Sequence, residues 1–156
     1  MSNSTTSVIV THFKTVPKER PSVTSRGTHY SQAYTKFQAD AKAALMAAVG
    51  YMPAMLTRYF PLTKVKITIE FWGSIRGNGD LDNAGGAWED AMKQAGIISG
   101  DNVQRVNEVN FKFFEHPHPV NVIIINPNWQ PVSEVDPKLL IPLIPTAGKK
   151  TSKNKN

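Results

Sequence analysis

Cysteine is absent from this sequence of 156 residues. A chain without cysteine has no disulfide framework, no thiolate metal site and no thiol nucleophile. Long apolar runs are missing as well, since no stretch approaches the roughly 20 residues that a membrane-spanning helix needs. Residues 1–7 are polar and do not show the basic and then apolar layout of a signal peptide. Together these absences favour a cytoplasmic protein without a membrane partner.

Acidic side chains are scarce relative to basic ones, with 12 Asp and Glu against 18 Lys and Arg, a net charge of +6. Residues 149–156 hold four of the lysines and no acid, which leaves 14 basic and 12 acidic residues, or +2, elsewhere. A basic excess suits a polyanion such as nucleic acid, although a solubilising tail explains it equally well. The length favours one domain. We place it at residues 1–147, followed by a disordered basic tail at 148–156.

A long segment without helical or strand periodicity follows the first predicted strand, which lies within residues 7–13. Its prolines, Pro17 and Pro21, exclude a helix, so we predict an irregular loop over 14–30. Basic residues alternate there with hydroxyls and an aromatic residue, a pattern that suits phosphate contacts. The plainer interpretation is a solvated loop. A long loop in a small domain is nevertheless more often functional or disordered than idle.

The remaining periodicity predicts two helices and three strands. Apolar residues at three- and four-residue spacing predict a helix over 31–49 capped by Ser31, and another over 84–95 ended by Gly96. Strands are predicted over 65–72, 106–114 and 120–126. The last of these carries an unbroken apolar run at 122–125, for which we expect cover on both faces of the sheet. Gly85 and Gly86 in the second helix suggest close approach of another backbone.

Three aspartates flank the second helix. Asp80 and Asp82 precede it, and Asp101 follows it after a short loop. Carboxylates at i and i+2 of an extended chain point to the same side, and Mg²⁺ takes a few carboxylate oxygens while keeping several waters. The pattern indicates a site for a hard divalent cation. Taken singly, Asp82 or Asn83 reads as a helix cap, Asp80 as a turn residue and Asp101 as a loop acid.

The motifs resemble those of the RusA family of Holliday-junction resolvases, small endodeoxyribonucleases of bacterial prophages and phages, over roughly 16–114. The strongest element is the Asp-Leu-Asp-Asn sequence at 80–83, which opens a helix. It is followed by Lys-Gln-Ala-Gly at 93–96 and Gly-Asp-Asn at 100–102. Residues 17–21 and 26–30 are similar to the family's basic, arginine–proline loop. Three such blocks stand in the family's order and spacing.

This resemblance implies an α+β fold, a mixed β-sheet with two main helices packed on it, in a homodimer that binds branched DNA, specifically the four-way junction. It implies DNA cleavage in recombination and repair with Mg²⁺, or Mn²⁺ as a substitute, by acids from both subunits in symmetrically placed sites. The implied catalytic acids and metal ligands are Asp80, Asp82 and Asp101, with Asn83 as a structural cap. The DNA-binding residues expected on the same grounds are Lys14, Lys18, Arg20, Arg26, Arg76 and Lys93.

Two departures from the family pattern bear on activity. The family usually has a lysine four residues after the second aspartate, where this chain has Gly86. Arg76 or a basic residue of the 14–30 loop is a candidate to take its place. The second departure is at the third acid position, where sliding the alignment by one residue would put Asn102 rather than Asp101. We prefer the alignment that keeps Asp101 there, because it needs no insertion between the helix and the acid.

Three hypotheses follow from these patterns. The first is a metal-dependent junction-resolving nuclease. The alternative is a catalytically weak or inactive relative that binds branched DNA as a structural module. A third is a basic DNA- or RNA-binding protein that uses no metal.

Overall fold

A four-stranded mixed sheet organises the computed structural model, which describes residues 6–77 and 79–140. In chain order the strands and helices are β1 (Ser7–Thr11), β2 (Ser22–Thr24), β3 (Gly27–His29), α1 (Gln32–Gly50), α2 (Ala54–Thr57), β4 (Val65–Trp72), α3 (Leu81–Gln94), β5 (Val106–Phe114) and β6 (Val120–Asn126). A 3₁₀ turn at Pro137–Leu139 follows. The sheet order is β1-β6-β4-β5, in which β4 is parallel to β5 and antiparallel to β6. The α+β class with a mixed sheet is confirmed.

Local patterns located most of the sheet accurately. The strands predicted over 65–72, 106–114 and 120–126 have those bounds in the structure, and the first strand ends at Thr11. A third, short helix, α2, lies in a connector for which no helix was predicted. It is a single turn of four residues, too short to show a helical period in the sequence.

Helix α1 follows its predicted cap. The Ser31 hydroxyl accepts a hydrogen bond from the Tyr34 backbone N–H at 3.2 Å, which satisfies one of the free donors at the start of the helix. One face of the helix is buried against the sheet and consists of Tyr34, Phe37, Ala41 and Leu45. Helix α1 ends at Gly50, and Tyr51 is its C-cap.

Strand β6 lies inside the sheet, between β1 and β4, but only one of its faces is covered. Ile123 and Ile125 are buried in the core, whereas Val122 and Ile124 are half-exposed. The prediction of cover on both faces is wrong. Helices α1 and α3 pack on the same face of the sheet, and within residues 6–77 and 79–140 neither of these helices covers the opposite face.

The segment predicted as one irregular loop has two different halves. Thr15 forms a parallel bridge with Ile75, next to the sheet. Further on, β2 and β3 pair as an exposed hairpin, and Gly27 has the positive φ (+110°) that an L side chain rarely adopts. The prediction of irregular structure is therefore wrong for the second half, where a turn at 25–26 brings two short extended runs together.

Among the described residues no helix is both long and apolar enough to cross a bilayer. Residues 1–5, 78 and 141–156, which include the predicted tail at 148–156, lie outside the described residues.

Candidate active site

Asp80 caps helix α3. Its Oδ1 accepts a hydrogen bond from the Asn83 backbone N–H at 2.8 Å, and its Oδ2 accepts one from the Asn83 side-chain amide at 3.3 Å. The helix therefore begins at Leu81, three residues earlier than predicted. Asp80, rather than Asp82 or Asn83, is the N-cap. Asn83 keeps a structural role, because it donates both hydrogen bonds that hold the Asp80 carboxylate.

Asp82 lies in the first turn of α3 and is exposed. The sequence argument that Asp80 and Asp82 share one side of an extended chain fails, because the chain is already helical at Leu81. Both carboxylates lie at the positive end of the helix. Unpaired N–H groups and the aligned peptide dipoles favour negative charge there.

This pair suits one class of cation. A carboxylate has about four lone-pair sites, so Asp80 can cap the helix and still coordinate an ion. Mg²⁺ is usually held by one or two carboxylates, with substrate phosphates and water completing its shell. Within 6–77 and 79–140 of a single chain, no group of three or more acidic or histidine side chains is arranged to hold a metal. At the start of α3 the described residues of one chain therefore offer two exposed carboxylates, Asp80 and Asp82.

Asp101 lies at the opposite end of α3. Lys93 Nζ lies 3.4 Å from Asp101 Oδ2 and 3.3 Å from Asp90 Oδ1. Lys93 follows Asp82 by eleven residues, or about 16 Å along a helix. The three predicted metal ligands are therefore divided, with two at the start of the helix and one paired with a lysine near its end.

Glu89 and Asp90 form an acidic centre between these two ends that sequence reasoning missed. Burial, followed by the charges of Asp101 and Asp90, raises the pKa of Glu89 to about 7, while Lys18 and Lys93 oppose the rise. Burial lowers the pKa of Lys93, but its hydrogen bond to Asp90 and the charge of Asp101 outweigh this and raise it. The signal in the sequence was the position of both acids one turn after Gly86.

Tyr34 joins the same centre from helix α1. Its hydroxyl donates a hydrogen bond to Asp90 Oδ2 at 3.3 Å. Burial and the neighbouring Asp90 charge raise the pKa of this phenol. Asp90 therefore has three partners, which are Tyr34 on α1, Lys93 one turn later on α3, and Lys18 on the N-terminal segment.

Thr15 attaches the basic segment, which is residues 14–30, to helix α3 and the sheet. The Thr15 hydroxyl accepts a hydrogen bond from Trp88 Nε1 at 2.8 Å and donates one to Asn121 Oδ1 at 3.0 Å. All three residues are buried. Backbone hydrogen bonds from Thr15 to Ser74 and from Arg76 to Thr15 continue the attachment. A buried polar network of this kind has one good geometry, so the segment has a defined position on α3 and the sheet.

Lys18 extends from this segment across the first turns of α3. Its backbone N–H donates a hydrogen bond to the Asn83 carbonyl at 2.8 Å, and its Nζ lies 3.0 Å from Asp90 Oδ2. Pro17 packs against Gly79 so closely that a Cβ at position 79 would lie 2.2 Å from Pro17 Cγ.

The other predicted DNA-binding residues fall into three places, and all but one of them are exposed. Lys14 and Arg76 flank the Thr15–Ile75 bridge. Arg20 precedes strand β2, and Arg26 lies in the turn of the β2–β3 hairpin. Lys93 is half-buried and is paired with acids near the end of α3.

Gly85 and Gly86 accommodate side chains, not another backbone as predicted. A Cβ at Gly85 would lie 2.2 Å from the Phe111 ring, whereas a Cβ at Gly86 would lie 3.5 Å from Lys18 Cδ. The first glycine lets strand β5 pack closely on α3. The second lies under the side chain of Lys18.

A family model described as Endodeoxyribonuclease RusA matches residues 12–125. The match covers well over half of the chain and contains all three aspartates, the basic segment and helix α3. No curated protein matches the chain.

Proposed function

The chain belongs to the RusA endodeoxyribonuclease family, and on that premise we propose that it is a metal-dependent endonuclease that resolves four-way (Holliday) DNA junctions by paired, symmetric phosphodiester hydrolysis. Family membership supports a nuclease that acts on branched DNA. The observation that carries the finer proposal is the exposed Asp80 and Asp82 pair at the start of α3, with a basic segment attached over the same turn.

Asp80 and Asp82 are the proposed ligands of Mg²⁺, or of Mn²⁺ as a substitute, and Asp101 is the proposed third acid. When bound, the ion would orient the phosphate, activate water and neutralise charge on the leaving oxygen. The chain's own residues have simpler tasks. The cap hydrogen bonds to Asn83 hold the Asp80 carboxylate in one orientation. Lys14 and Arg76, which flank the Thr15–Ile75 bridge, would contact the DNA backbone.

We propose a homodimer in which the acids of one site come from both copies. The separation of Asp101 from Asp80 and Asp82 within one chain supports this arrangement, because α3 spans the distance between them. Two symmetric sites suit a four-way junction, whose resolution requires one cut in each of two strands.

The second candidate is a weak or inactive relative that binds branched DNA as a structural module. It is favoured by Gly86, which stands where the family usually has a lysine. The two candidates differ in one result, which is whether a bound junction is cut.

Cleavage of a labelled four-way junction with Mg²⁺ or Mn²⁺ tests the proposal. We expect paired symmetric nicks from the native chain, a loss of at least about 100-fold in Asp82→Asn, and unchanged nicking in Asp40→Asn. Asp40 is the matched control because it is exposed on α1 and paired only with Lys36 in the described structure. Tight junction binding without nicks in either metal would support the structural module instead.

Mixing two inactive variants tests the shared site. If Asp101 of one copy completes the site of the other, a heterodimer of Asp82→Asn and Asp101→Asn has one intact and one doubly altered site. The mixture should then nick one strand of the junction, although each variant alone is inactive. A mixture as inactive as its components would assign all three acids to the same copy.

A further inference from the structure

We propose that Lys18, carried by a segment outside helix α3, supplies the cation that contacts the substrate phosphate at the start of α3. It would do so from the space directly above Gly86. This inference rests on the proposed nuclease function and assigns a reacting-site contact to a residue 68 positions away from that glycine in the chain.

The backbone places Lys18 before its side chain makes any contact. The Thr15 network, the packing of Pro17 against Gly79 and the 2.8 Å hydrogen bond from Lys18 N–H to the Asn83 carbonyl are three successive attachments. Asn83 also holds the carboxylate of Asp80. The main chain of Lys18 and one candidate metal ligand are therefore tied to the same residue of α3.

The side chain of Lys18 then crosses the helix at Gly86. Its Cδ lies 3.5 Å from the position of a Cβ on that residue, an ordinary van der Waals distance. Gly86 is one turn beyond Asp82 on the same face of α3. The methylene chain lies over this position, and its ammonium group lies 3.0 Å from Asp90, one turn beyond Gly86 on the face that also carries Asp82. A side chain longer than alanine at position 86 would occupy the same space.

Asp90 holds the ammonium group of Lys18. Its carboxylate lies 3.0 Å from Lys18 Nζ and 3.3 Å from Lys93 Nζ, and Lys93 Nζ also lies 3.4 Å from Asp101 Oδ2. A lysine ammonium has three donors, and the Lys18 side chain remains 43% exposed. Lys18 can thus keep its contact with Asp90 and donate to a phosphate oxygen.

Moving the lysine from position 18 to position 86 is the direct test. Lys18→Ala should slow junction cleavage at saturating DNA by about 100-fold, the usual loss for one charge-stabilising group, while the dissociation constant changes by less than about threefold. Lys18→Ala combined with Gly86→Lys should recover at least about tenfold of that rate, because the new side chain starts in the vacated space. Lys36→Ala on α1 is the matched control and should cleave normally.

Two results in this series would overturn the proposal. One is a Lys18→Ala protein that cleaves within about threefold of the native rate. The other is a double variant with a native melting temperature that is no faster than Lys18→Ala. In the first case, an accompanying loss of affinity would mean that Lys18 binds DNA away from the reacting phosphate.

Lysine acetylation separates this inference from the nuclease proposal. A four-way junction bound in Ca²⁺ should slow the acetylation of Lys18 at least about fivefold and leave Lys36 unchanged, as expected for an ammonium group that faces a phosphate. If the junction protects Lys18 but the protein cleaves no DNA with any metal ion, the nuclease function is refuted and the phosphate contact is supported. Equal acetylation with and without the junction would refute the contact, even in an active enzyme.

Discussion

The two halves of the basic N-terminal segment have opposite structural characters. Around Thr15, a buried network attaches the chain to α3 and the sheet. In the β2–β3 hairpin every strand residue is exposed. Both halves carry basic residues, and in the sequence they read as one loop. The comparison teaches that attachment to the core, rather than charge, distinguishes the two halves, and under the proposed function it would separate residues that position a phosphate from residues that attract DNA.

The attached half should therefore control stability and cleavage rate, and the hairpin should control affinity. Surface phosphate contacts contribute mainly an electrostatic, salt-dependent binding term. A contact that must lie correctly in the transition state depends on a rigid support. Four substitutions or titrations test this division.

Thr15→Val should have the largest effect. The variant keeps the shape of the side chain but leaves Trp88 Nε1 without an acceptor and Asn121 Oδ1 without a donor. Each buried unsatisfied group costs about 1–3 kcal/mol, so we expect the free energy of unfolding to fall by about 3 kcal/mol in urea denaturation. Thr15→Ser, which retains the hydroxyl, should lose only about 1 kcal/mol. Equal losses in the two variants would mean that the network does not stabilise the attachment.

Gly79→Ala should have the next largest effect. The new methyl group would lie 2.2 Å from Pro17 Cγ, so the segment must move away from α3. We expect a loss of about 2 kcal/mol in unfolding free energy, together with slower junction cleavage. Gly50→Ala is the control, because nothing lies within 4 Å of its added Cβ. A native cleavage rate in Gly79→Ala would show that attachment at Pro17 is unnecessary.

The pH dependence of stability should report on Glu89, which faces Lys18, Lys93 and the two neighbouring aspartates. Its pKa is raised from 4.5 to about 7 by folding, so folding favours the protonated carboxyl. The resulting stability is complete below pH 4.5 and is lost as the pH rises through 7. Relative to Glu89→Gln, the metal-free native chain should lose about 1–2 kcal/mol over that range, after allowance for solvent screening of a half-buried group.

Chemical denaturation at several pH values in EDTA would measure this difference, with exposed Glu115→Gln as the control. A constant difference between the native chain and Glu89→Gln at every pH would contradict the raised pKa.

Arg26→Ala in the hairpin turn should have the smallest effect. We expect unfolding free energy to change by less than about 0.5 kcal/mol, because Arg26 is exposed. Junction affinity should fall a few-fold, and the slope of log affinity against log salt should decrease by about one. Ser25→Ala, its neighbour in the turn, should leave both unchanged. A reduced cleavage rate at saturating DNA would contradict the division between the two halves.

Local patterns were sufficient for most of the fold and for the identity of the acidic motif. The alternation of Val65–Trp72 and the hydroxyl of Ser31 act through hydrogen bonds and side-chain directions within a few residues. The assignment of the cap to Asp82 or Asn83 failed for a similar local reason. Several residues in a row can cap a helix, and only the backbone path at Leu81 selects Asp80.

The sequence by itself determined the order of the four sheet strands and the two long helices along the chain, the residues of the acidic motif and the positive charge near it. These are properties of neighbouring residues. Tertiary structure alone decided that Lys18 crosses Gly86, that Asp101 pairs with Lys93, and that half of the basic segment is attached to the core. Such contacts join residues far apart in the chain. They depend on how the helices pack on the sheet, because no pattern along the backbone encodes the distance between two elements.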